Sequence, residues 1–212
     1  MKRHLAAVAC ACAAVIPSVS LAQDVRITED QPIASFALNG QTITIERNQD
    51  QSSVIVGEFA KTSRPCPPFC ITPISVADGV ATVGELEVIE FLQGEVAAGT
   101  GLLIDSRVPQ WYEKGTIPGA VNVPFPTLDA DNPYRNDILK ALGAREVDGQ
   151  LEFSNALQLM VFCNGPWCKQ APHAIQNLLA AGYPSENIQY YRGGMQLWML
   201  FGLTVESPQT QG

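Results

Sequence analysis

Two cysteines five residues apart bracket the segment Cys163-Asn164-Gly165-Pro166-Trp167-Cys168. The run just before it, residues 158–162 (Gln-Leu-Met-Val-Phe), reads as a buried strand. The run just after it, residues 169–181, is amphipathic and closes at Gly182. A cysteine between a strand and the first turn of a helix sits where backbone N–H groups are free and the helix dipole is positive. Gly165 and Pro166 oppose a helical path through the segment and favour a tight curl, in which successive amides converge as an anion nest. A thiol in that position ionises more readily than a free cysteine of pKa about 8.5. Lys169 adds a positive charge at the edge. The same construction is a nucleophilic sulfur and a seat for a small anion. The competing expectation for this spacing is a structural disulfide or an inert buried cysteine.

A second pair, Cys66 and Cys70, lies in the proline-rich stretch Arg64-Pro65-Cys66-Pro67-Pro68-Phe69-Cys70. Three intervening residues are one too many for a thioredoxin-type motif. Three readings stay open: a local disulfide pinning the N-terminal segment to the rest, a thiol pair relaying electrons or sulfur from Cys163, and a soft-metal site, since thiolates favour Cu(I). A zinc site of mixed ligands is not expected, because His173 is the one histidine after residue 22. Its position on the helix after the cysteine segment suits a surface or packing role.

The elements that must position these groups follow from rhythm. After a polar stretch, residues 35–46 read as a β-hairpin turning at Asn39-Gly40, and residues 54–56 as a third short strand. This small β appendage is too slight to stand alone. From residue 82 the pattern alternates: a helix over 83–92, a strand over 101–105 ending in Asp105, a strand over 120–123 and a helix over 131–142. The cysteine strand and its helix come next, then a strand over 187–190 and a helix over 194–201. Strands alternating with helices predict an α/β fold, a parallel sheet covered on both faces. Sites in such sheets form beyond the carboxyl ends of the strands, where Asp105 and Cys163 both fall.

Composition bounds the rest. The chain has 212 residues, 46% hydrophobic and 16% charged, with a formal charge of −8. Such a chain is too apolar and too sparsely charged for disorder, and it has no run of about 20 apolar residues to span a membrane. No basic stripe offers itself to nucleic acid. Residues 1–22 have the layout of a secretory signal peptide: Lys2 and Arg3, an apolar run over 5–16, a Pro17-Ser18 break and small residues before Gln23. Cleavage near Ala22 predicts a periplasmic or secreted protein with 11 basic and 21 acidic side chains, a charge of −10. The remaining four cysteines would then meet an oxidising compartment.

Two separated motifs carry a family resemblance. Residues 102–107 (Leu-Leu-Ile-Asp-Ser-Arg) and 111–124, which include Thr116-Ile117-Pro118-Gly119-Ala120, resemble the first signature of rhodanese-like domains. Val161-Phe162-Cys163, the helix ending at Ala180-Ala181-Gly182-Tyr183, and residues 191–198 (Tyr-Arg-Gly-Gly-Met-Gln-Leu-Trp) resemble the second. The resemblance spans residues 77–206, leaving 23–76 as the hairpin appendage with its Pro/Cys loop and 207–212 as a tail. It implies a five-stranded parallel sheet flanked by helices and a sulfurtransferase that needs no cofactor and no metal. Cys163 would take sulfane sulfur as a persulfide from a small anionic donor such as thiosulfate and pass it to a thiol or cyanide-like acceptor.

On the same resemblance, the amides of Asn164, Gly165, Trp167 and Cys168 would hold the persulfide and donor as the chain curls through Pro166. Arg192 would meet the donor's charge, and Asp105 and Arg107 would organise the edge of the site. Two positions depart from the family pattern. Thr116 replaces a usual histidine, a change expected to touch packing rather than chemistry. Cys168 replaces Arg, Ser or Thr. A thiol there can attack a Cys163 persulfide and leave a Cys163–Cys168 disulfide, which would couple the protein to a periplasmic redox partner. The rival reading is a non-enzymatic thiol module that binds Cu(I) or senses redox state through all four cysteines. A phosphatase loop on this fold would close on arginine, where this chain has Lys169.

Overall fold

A computed structural model describes residues 25–208; the expected leader over residues 1–22 lies outside them. The frame is a parallel sheet formed by β3 (Ala81–Val83), β4 (Gly101–Asp105), β5 (Val121–Asn122), β8 (Gln158–Phe162) and β9 (Ile188–Tyr191). The order is β3-β9-β8-β4-β5, with every neighbour parallel. The central strand β8 is fully buried from Leu159 to Phe162, so its side chains feed both faces, as an apolar run without alternation predicts.

On one face Met160 and Phe162 join Leu103 and Tyr191. They are covered by α1 (Glu85–Phe91) and α5 (Gly194–Leu200) through Val88, Ile89, Phe91, Met195 and Trp198. On the other face Leu159, Val161, Ile104 and Tyr190 pack beneath α3 (Arg135–Ala141) and α4 (Gln170–Ala180). A short α2 (Pro109–Tyr112) begins at a proline in the first helical position. Among the described residues no helix is long and apolar enough to cross a membrane.

The N-terminal hairpin forms as expected. β1 (Ile33–Leu38) and β2 (Gln41–Glu46) pair antiparallel around Asn39 and Gly40, both at positive φ. Ala34, Phe36 and Ile45 lie in the first core cluster, so the hairpin shares the sheet's core instead of building one.

Two expectations are corrected. Residues 54–56 form no strand: Val54 and Val56 are exposed and have no neighbour to pair with. The helix expected over 131–142 starts only at Arg135. The Asn132 side chain accepts the Tyr134 amide in a turn, and Pro133 contributes no N–H. A further hairpin, β6 (Arg145–Val147) with β7 (Gln150–Glu152), turns at Asp148-Gly149 and is almost wholly exposed.

Candidate functional site

The carboxyl ends of β4 and β8 are stitched together directly. The Ser106 amide and hydroxyl both donate to the Phe162 carbonyl, at 3.0 and 2.7 Å. Asn122 donates to the carbonyls of Asp105 and Arg107. Immediately beyond lies a buried ion pair, Asp105 at 0% and Arg107 at 1% exposure. Arg107 Nε reaches Asp105 Oδ1 at 2.8 Å and Oδ2 at 3.0 Å, and Nη2 reaches Oδ2 at 2.5 Å and the Gly115 carbonyl at 2.6 Å. Thr116, the residue that departs from the family pattern, donates its hydroxyl to Asp105 Oδ2 at 2.8 Å. Its role is therefore to satisfy a buried carboxylate. The remaining guanidinium nitrogen, Nη1, faces Asn164 Oδ1 at 3.4 Å and so ties the pair to the cysteine loop.

The loop curls between β8 and α4 as expected. Cys168 N–H donates to the Gly165 carbonyl, and the Cys163 thiol to the Cys168 carbonyl at 3.5 Å. Its outer carbonyls are held by the start of α5: Met195 N–H to Cys163 and Gln196 N–H to Asn164. This approach requires glycine at 194, where φ is +55° and a Cβ would lie 2.3 Å from the Cys163 carbonyl oxygen. From the opposite side Thr72 gives both its amide and its hydroxyl to the Pro166 carbonyl, each at 2.8 Å.

Cys163 and Cys168 are both free thiols, 2% and 5% exposed. Burial pushes the Cys163 thiol well above the ordinary cysteine value. The hydrogen bond and charge of Cys168 push the same way, against the amides of Ala171 and Gly165. Burial also works upward on Cys168. There it is outweighed by the Cys163 thiol, the amides of Asn164 and Gln170, and the Arg107 guanidinium, so Cys168 lies below the ordinary value. The two thiols thus titrate as an interacting pair in which Cys168 is the more acidic member and Cys163 the less acidic.

This corrects the expectation that Cys163 itself is the readily ionised thiol: desolvation outweighs the amides. The inward-facing amides are also partly different. Asn164 and Gly165 of the loop are joined by Gln170 and Ala171 from the uncapped first turn of α4, while the Cys168 amide is spent inside the loop.

Other expected site residues are placed differently. Lys169 is exposed. Arg192 donates from Nη2 to the Thr72 carbonyl at 2.7 Å and from Nε to the Pro73 carbonyl at 3.1 Å, fastening the strap that carries Thr72. Trp167 points outward to Phe69, edge on at 5.5 Å. Its indole N–H donates to Gln196 Oε1 at 2.7 Å, and Arg64 stacks 4.2 Å over its ring.

Cys66 and Cys70 are bonded to each other as a disulfide on this covering segment, the local-disulfide reading. In this bonded state they offer no thiolates. No group of three or more metal-ligating side chains occurs among the described residues. His173 is half-exposed, bonded to Asp129 at 2.6 Å and packed edge-on against Phe125.

Sequence reasoning missed Thr72, Gln196 and Tyr190. Only Tyr190 left a signal, since alternation along β9 puts it on the face that carries Val161 and Cys163.

A parallel α/β domain with a cysteine loop at the end of its central strand is a sharply bounded class. Residues 88–200, more than half the chain, match the rhodanese-like domain family, and the chain belongs to it. An HTH-type transcriptional regulator of Mycobacterium tuberculosis is 28% identical over 109 residues, 51% of this chain and 39% of the regulator's length. Among solved structures, the thiosulfate sulfurtransferase of Pseudomonas aeruginosa is 25% identical with a TM-score of 0.41, covering 62% of this chain and 21% of that one. The human single-domain sulfurtransferase TSTD1 is 24% identical with a TM-score of 0.37, covering 57% and 96%.

Proposed function

We propose that the protein is a sulfurtransferase that carries sulfane sulfur on Cys163. The reading rests on one observation: a cysteine at the carboxyl end of the central strand, with loop and helix amides turned toward its sulfur and a second, more acidic thiol against it. With thiosulfate as donor, Cys163 attacks the outer sulfur while its proton passes to the Cys168 thiolate. The new bond joins Cys163 Sγ to that sulfur, the donor's S–S bond breaks, and sulfite leaves with the electron pair. A thiophile such as cyanide or a thiolate then attacks the outer sulfur, and Cys163 leaves as a thiolate that recovers the proton from Cys168.

Cys168 also supplies a second exit. Its proton passes to the outer sulfur and the resulting thiolate attacks Cys163 Sγ, breaking the persulfide bond, expelling hydrosulfide and leaving a Cys163–Cys168 disulfide, which a dithiol reductant must reopen. The Cys66–Cys70 disulfide and the leader-like residues 1–22 support action in an oxidising compartment such as the periplasm.

The deciding experiment is the thiosulfate-to-cyanide assay on wild type and Cys163→Ala, with intact-mass detection of the sulfur adduct. The expected result is loss of both turnover and adduct in the variant. Equal rates for the two proteins would remove the reading.

A further inference from the structure

Tyr190 lies on β9 with its ring in the cluster that contains Cys163, Cys168, Val161 and Ala171, 1% exposed. Parallel pairing sets it beside Val161, two residues before Cys163. Its hydroxyl is buried and has no hydrogen-bond partner. The Thr72 hydroxyl, which itself donates to the Pro166 carbonyl, is the one side-chain hydroxyl that acts on the phenol. Both cysteine side chains belong to the same buried cluster as the phenol. Burial holds the phenol far above its ordinary pKa, so it stays a hydrogen-bond donor at every physiological pH.

An orphaned buried hydroxyl is costly, and proteins keep few of them without a use. Phenylalanine fills the same space without that cost. Tyrosine here therefore calls for an acceptor that arrives during the reaction, and the acceptor the reaction creates is the outer sulfur of the persulfide, one bond beyond Cys163 Sγ. We propose that Tyr190 is a substrate-binding residue whose hydroxyl donates a hydrogen bond to the sulfane sulfur carried on Cys163. This rests on the sulfurtransferase reading and adds the group that receives the transferred atom. Thr72, beside the phenol, is fixed to the loop through the Pro166 carbonyl and held from behind by Arg192.

The test is the loading equilibrium, in which thiosulfate and the cysteine exchange with sulfite and the persulfide. It is measured by intact mass across a series of thiosulfate-to-sulfite ratios. A Cys168→Ser background keeps the chain from consuming its own persulfide, and Tyr190→Phe is compared with Tyr190 in that background. Loss of one hydrogen bond to a charged sulfur is expected to raise the ratio needed for half-loading about tenfold. The melting temperature should hold or rise, because an orphan is removed.

An unchanged half-loading ratio overturns the proposal, and is the result if the hydroxyl merely holds a water. A melting temperature lower by several degrees also overturns it, by showing a structural partner for the hydroxyl. Absence of any sulfur adduct or sulfide release, in wild type as well as in the Cys168→Ser chain, overturns the sulfurtransferase reading and this one with it.

Discussion

Replacing Asp105 by alanine tests whether the buried ion pair organises the cysteine loop. The carboxylate accepts from Arg107 Nε and Nη2, from the Arg107 amide and from the Thr116 hydroxyl, all out of solvent. Removing one partner of a buried pair leaves an uncompensated charge and costs about 3–5 kcal/mol. Here Nη2 keeps the Gly115 carbonyl and Nη1 keeps Asn164, which places the cost toward the lower figure. At about 2–4 °C per kcal/mol for a chain of this size, the melting temperature should fall by roughly 6–12 °C. Circular dichroism melts of wild type, Asp105→Ala and the double variant Asp105→Leu/Arg107→Met measure it. The double variant should recover most of the loss, because apolar replacement of both partners removes the stranded charge. A single variant within about 2 °C of wild type, or a double variant no more stable than the single, would refute the reasoning.

Two further predictions concern the loop itself. In Cys168→Ala the remaining Cys163 has burial against it and no acidic partner. The first cysteine ionisation, below the ordinary cysteine value in wild type, should therefore move above it, as thiolate absorbance during a pH titration will show; an unmoved first step contradicts the interacting-pair description. In Gly194→Ala the added methyl meets the Cys163 carbonyl at a left-handed backbone position, which costs at least about 1–3 kcal/mol. A lower denaturation midpoint together with lost turnover is expected, and an unchanged midpoint would mean that the loop does not need this approach.

What could be read from the sequence was whatever local pattern decides. β4 and β8 occupy the expected residues because each is a short apolar run between turn signals, and Asp105 and Cys163 stand at their ends. The hairpin followed from Asn39-Gly40. Residues 54–56 are apolar without being buried, so hydrophobicity alone misplaced them. β3 is only three residues long, and the charged β6–β7 hairpin buries almost nothing, so neither left a pattern.

The site divides in the same way. The curl of the loop is written in Gly165 and Pro166, but the state of its sulfurs depends on burial contributed by distant segments. Lys169 and Arg192 were assigned by charge, and charge does not reveal a partner. Arg192 is spent on the carbonyls of Thr72 and Pro73, residues that come more than a hundred positions earlier.

The burial that suppresses Cys163 ionisation also explains why a second thiol belongs in the loop. A buried pocket tolerates one uncompensated negative charge far better than two, and Arg107 is already matched by Asp105. If Cys163 had to ionise alone before meeting an anionic donor, burial would oppose the step twice. In the proposed mechanism the more acidic Cys168 would hold the charge first, and Cys163 would give up its proton only as its sulfur bonds to the donor, neutralising Cys168 in the same event. In the proposed transfer from thiosulfate one negative charge would be present before and one after, moving from the Cys168 sulfur to the outer atom of the persulfide while sulfite carries the donor's two charges away. The amides of Asn164 and Gln170 suit the first location, those of Gly165 and Ala171 the carrier sulfur. The Tyr190 hydroxyl is the donor left over for the last. A loop ending in Ser or Thr at position 168 would lack that acidic thiol, leaving the amides of Gly165 and Ala171 to offset the desolvation of Cys163.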